Sequence, residues 1–196
     1  AWASLVTVLG LLVVAGETMG RNRPKLSGPF VLALTSLLLL LAATIAGGFN
    51  VLDVLGLIDT TFSSAQMNLT VFATLVGGLA GIWYWLPKIS GRKASDGAGI
   101  LAALLLFVGA AVVALGLAWS GALDQPLILT AEYVARDGVE ALNLVTTLGF
   151  ALVLAGFLWV GDVGPVPFRL AFSLDLVIAG VATPMLWLSH QVDARA

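Results

Sequence analysis

The chain has 196 residues, of which 60% are apolar and 10% charged, with a net charge of −2 and a mean hydropathy of +1.05. Soluble domains carry about a quarter charged residues, so this composition excludes them and points to an integral membrane protein. The near-neutral charge argues against nucleic acid as a partner.

Six apolar runs, at about 1–18, 29–50, 64–86, 98–120, 139–161 and 167–189, are each long enough to cross about 30 Å of hydrocarbon at about 1.5 Å per residue. The expected fold is all-α, a polytopic transmembrane helix bundle of about six spans forming a single domain. The first run opens AWASLV without methionine or a basic n-region, so neither a translation start nor a signal peptide is expected there. Glu17 closes it among the basic residues Arg21, Arg23 and Lys25. Asp53 and Asp59 follow the second run, at headgroup level, where a carboxylate stays hydrated.

The third run begins within DTTFSSAQMNLTVFA and places two carboxamides, Gln66 and Asn68, near its outer end. Residues two apart on a helix point about 200° apart. Such a pair cannot serve one ligand, but it can face two objects on opposite sides. Asn68-Leu69-Thr70 has the form of a glycosylation acceptor, yet it lies inside a span and is discounted. The run ends in YWLPKISGR, with Lys88, Arg92 and Lys93.

Gly77 and Gly81 in the third run, Gly109 and Gly116 in the fourth, and Ala155 and Gly156 in the fifth predict close helix–helix packing. Between the fourth and fifth runs, GALDQPLILTAEYVARDG is the longest connection and could cover the outer surface of the bundle. Asn143, Thr146 and Thr147 can bond neighbouring helices or their own carbonyls. In the sixth run Asp175 sits about one and a half turns from Arg169, which suits a local ion pair better than a proton relay. No cysteine is present and the single histidine is His190, so no disulfide, thiolate metal site or nucleophile–base pair can be built. No catalytic residue and no metal ligand is expected.

Seven of the nine basic residues fall on alternate connections, which the positive-inside bias assigns to the cytoplasm. Trp83, Trp85 and Trp159 would then form an inner aromatic belt, and Trp2, Trp119 and Trp187 an outer one. Both chain ends are expected on the outer side, in what should be a bacterial cytoplasmic membrane.

The stretch from ATIAGGFN through DTTFSSAQMNL to YWLPKISGRK resembles the second half of subunit I of the heme-copper oxidases, the cytochrome c oxidase family. There the corresponding helix starts His-Asp-Thr-Tyr-Phe-Val-Val-Ala-His-Phe-His and ends in a Tyr-Trp-Phe-Pro-Lys-Ile-Thr-Gly-Arg type of loop. The resemblance implies that positions 66 and 68 correspond to the family's two heme-ligand histidines, one on each face. It also makes Ile58 the counterpart of a histidine near an outer metal site. Pro126-Leu127-Ile128 then stands for the Pro-Arg-Arg whose arginines hold the heme propionates. Gln66, Asn68, Leu127, Ile128 and Ile58 are therefore read as degenerate positions. No cofactor is expected on this chain, with hemes and copper possible in partner subunits. The carboxamides are expected to persist as cross-helix hydrogen-bonding groups.

The favoured function is a heme-free structural or assembly subunit of a respiratory-chain membrane complex, with other integral membrane subunits and lipid as partners. One alternative is the C-terminal part of a split oxidase subunit I that takes part in oxygen reduction and proton pumping. The other is a small-solute transporter or channel.

Overall fold

The computed structural model describes residues 2–22, 24–52, 55–91, 95–128 and 136–163. Among these the chain forms α1 (Trp2–Asn22), α2 (Gly28–Asn50), α3 (Thr61–Ser90), α4 (Asp96–Ala122) and α5 (Val139–Val163). All five are long and apolar enough to cross a membrane, and no strand occurs among the described residues. The fold class is all-helical, as the composition requires. The sixth run, with Arg169, Asp175, Trp187 and His190, lies outside the described residues, as do Asp53, Arg23, Arg92 and Lys93.

The helices outrun several of the apolar runs because capping groups, and not hydropathy, set their ends. Thr60 accepts from the Phe62 amide and Ser95 from the Ala98 amide, so α3 and α4 each begin at a hydroxyl cap. Pro29 lies in the first turn of α2, where its missing N–H costs nothing, and the Gly28 amide donates to Asp96 Oδ1 on α4 at 3.2 Å. α3 passes through Pro87 and stops at Gly91, whose φ of 68° lets its amide close back on the Pro87 carbonyl.

Packing runs from α2 through α3 and α4 to α5, around a core that includes Leu32, Leu39, Val76, Leu79, Leu106, Val113 and Val160. Among the described residues α1 leans on α2 alone, and Val8 is its only buried apolar residue.

The crossing of α4 and α5 is reciprocal. A Cβ on Gly109 would lie 2.7 Å from the Val153 amide nitrogen, and a Cβ on Gly149 would lie 2.7 Å from that of Val113. Gly116 is pressed against Thr146, and Gly156 against Leu106. Gly77 packs on Ser36, whose hydroxyl donates to the Ala73 carbonyl at 2.7 Å. Gly77, Gly109, Gly116 and Gly156 do the packing work expected of them, and Gly149 joins them unforeseen. Gly81 does not, since it has open space around it, and Ala155 is exposed.

The aromatic belt also needs revision. Trp85, Trp119 and Trp159 are exposed, but Trp83 is buried. Its indole nitrogen lies against Gly28 and Gly99 with no hydrogen-bond partner, so this tryptophan is a packing wedge between α2 and α4.

Candidate functional site

Of the two carboxamides singled out in the third run, Gln66 joins a polar cluster where the start of α3 meets the end of α2. Gly47 and Asn50 lie three apart on α2, Ser63 and Gln66 three apart on α3, and each pair shares one face of its helix. Asn50 Nδ2 donates to Gln66 Oε1 at 3.3 Å, and Ser63 Oγ donates to Asn50 Oδ1 at 3.1 Å. A Cβ on Gly47 would lie only 2.6 Å from Gln66 Nε2, so the Gln66 amide occupies the gap between the helices. Asn50 is thus the hub of a three-residue cluster that the sequence reading missed. The matching i, i+3 spacing on both helices was the available signal.

Asn68 behaves differently. Its Nδ2 donates to the Ser64 carbonyl on its own helix at 2.8 Å. Cross-helix bonding therefore holds for Gln66 but not for Asn68, because the i−4 carbonyl lies within reach of a short amide side chain. Thr146 and Thr147 make the same choice, donating to the Leu142 and Asn143 carbonyls of α5.

A second polar seam sits on another face of α3. The Thr61 hydroxyl lies 3.0 Å from that of Ser120 and 3.1 Å from the Leu117 carbonyl, tying α3 to α4. The Thr61 amide donates to the Gln125 carbonyl at 3.0 Å, and the Leu127 amide to the Asp59 carbonyl at 2.7 Å. Thr60 and Pro126 form an isolated antiparallel bridge. The described part of the long connection thus returns onto the start of α3, as expected of a covering loop, and brings Leu127 beside Asp59. Ile58, Leu127 and Ile128 are all exposed. Asp59 is exposed as well. No group of three or more His, Cys, Asp or Glu side chains that could hold a metal occurs among the described residues.

The Asn50–Gln66 bond should couple the two side chains. Hydrogen bonds between membrane helices average about 0.6 kcal/mol in double-mutant cycles. Asn50→Ala and Gln66→Ala, with the double variant, should show a coupling of about that size in unfolding from detergent. Fully additive single effects would contradict the bond.

Comparison with known proteins agrees with an all-helical membrane protein. The family model for cytochrome c and quinol oxidase polypeptide I matches residues 1–157. The chain is 34% identical over 96 residues, 48% of its length, to a cytochrome c oxidase subunit 1-beta of Streptomyces avermitilis, covering 17% of that protein. It is 33% identical over 105 residues, 52% of its length, to cytochrome c oxidase subunit 1 of Corynebacterium efficiens, covering 18% of it. For the subunit 1 of Corynebacterium glutamicum the identity is 33% over 107 residues, 53% of this chain and 18% of the relative. The chain therefore spans less than a fifth of the curated relatives it matches. With five membrane-length helices and a family match over most of its length, the chain belongs to the cytochrome c and quinol oxidase polypeptide I family and is an oxidase subunit I-like integral membrane protein.

Proposed function

We propose that the chain serves as a heme-free, structural or assembly element of a respiratory-chain membrane complex, presenting packed helices to partner subunits and holding no redox centre of its own. The observation that carries this reading is the state of positions 66 and 68. A carboxamide has no basic ring nitrogen with which to bind heme iron as imidazole does. Gln66 is already committed to Asn50 and seated against Gly47, and Asn68 to its own backbone. Leu127 and Ile128 offer no cation to a propionate, and a buried propionate without one would be costly. The residues present do not fit an axially ligated porphyrin, and any heme or copper in such a complex belongs to its other subunits.

The absorption spectrum of the complex purified from its native membrane tests this. Gln66→Leu and Asn68→Leu should leave every heme band unchanged, and other membrane polypeptides should co-purify. A heme band lost in either variant would assign heme ligation to this chain. A stable, monodisperse preparation free of any other membrane polypeptide would remove the structural role.

A further inference from the structure

The two ends of the bundle differ in charge. Exposed Asp59, Asp124, Asp137 and Glu140 mark the end where α3 begins, with Arg136 paired to Asp124. At the other end Glu17 is paired with Arg21, Asp96 accepts from the Gly28 amide, and exposed Lys25 and Lys88 add positive charge, with Arg92 and Lys93 following in sequence. α3 itself carries no acidic side chain. Lys88 is held there by its own helix. Its ammonium lies 3.8 Å from the centroid of the Tyr84 ring and 4.2 Å from that of Trp85, one turn back, and the two rings meet edge to face. Two aromatic faces fix the position of the cation without neutralising it. Trp85 and Ile89, one turn apart on α3, are both exposed. The surface therefore offers a positioned cation beside an apolar flank.

We infer that Tyr84, Trp85 and Lys88 form a binding site for an anionic phospholipid, with Lys88 taking the headgroup phosphate and Trp85 lying along the acyl chains. Charge complementarity selects an anion, and the exposed apolar side chains select an amphiphile over a soluble one. A lysine close to an anionic bilayer surface is expected to favour such a lipid about fivefold.

The full chain reconstituted in phosphatidylcholine vesicles tests this with brominated lipids. Quenching of Trp85, isolated as the difference between the protein and its Trp85→Phe variant, is compared for brominated phosphatidylglycerol and brominated phosphatidylcholine at equal mole fraction. The site predicts stronger quenching by the phosphatidylglycerol, abolished by Lys88→Gln and kept by Lys88→Arg. Equal quenching by the two lipids, or a preference that survives Lys88→Gln, would overturn it.

Discussion

Leucine at Gly109 or Gly149 is expected to be among the most damaging single changes in the described bundle, forcing α4 away from α5. At each position even a Cβ would lie 2.7 Å from a backbone nitrogen of the facing helix and 3.0 Å from the facing glycine's carbonyl oxygen. Neither of those atoms can step aside unless the whole helix moves. Overpacking typically costs about 1–3 kcal/mol, and a rigid backbone neighbour puts this site at or above the upper end. Gly78→Leu and Gly81→Leu supply the contrast, because nothing lies within 4 Å of a Cβ at either. Surface changes of that kind stay within about 0.5 kcal/mol. Unfolding in mild detergent, followed by circular dichroism, should separate the two pairs. If the first pair proved as harmless as the second, the crossing would be wrong.

The second large effect is expected at Gly121, near the end of α4. A Cβ there would overlap the Phe62 amide nitrogen and lie 2.9 Å from the Phe62 Cβ. Gly121→Ala should cost about 2–3 kcal/mol and loosen the joint between α3 and α4. Its signature is local. Hydrogen exchange at the Thr61 and Leu127 amides, which donate to Gln125 and Asp59, should rise more than exchange within α5. Gly97→Ala is the control, with its nearest neighbour, Ser95 Oγ, at 3.8 Å. Equal exchange in the two variants would dissociate Gly121 from this joint.

Most of the architecture was legible because membrane helices announce themselves by length and apolarity, and because the glycines that matter sit at helix crossings. What stayed hidden depended on rotation about the helix axis. Hydropathy could not distinguish Trp83, wedged against Gly28 and Gly99, from the exposed Trp85 two residues on. Nor could it tell Gly77, packed on Ser36, from the open Gly81. At the polar cluster the sequence pointed to Gln66 but not to Asn50, since a single amide at the end of a helix looks like a terminus. Only the facing register of α2 and α3 turns it into a hub. Asn68 shows the opposite limit: its bond to Ser64 is local, and helical spacing alone does not choose between a neighbour helix and the preceding turn.

The strip that folds the Gln125–Leu127 segment back onto Asp59–Thr61 is stitched by main-chain amides and carbonyls, with no side chain in either of its two cross-links. Positions 58, 127 and 128 can therefore exchange one residue type for another while the loop keeps its contour. Evolution is free to rewrite the chemistry displayed on that ledge without redrawing its outline. A contour held by the main chain is indifferent to the side chains it carries.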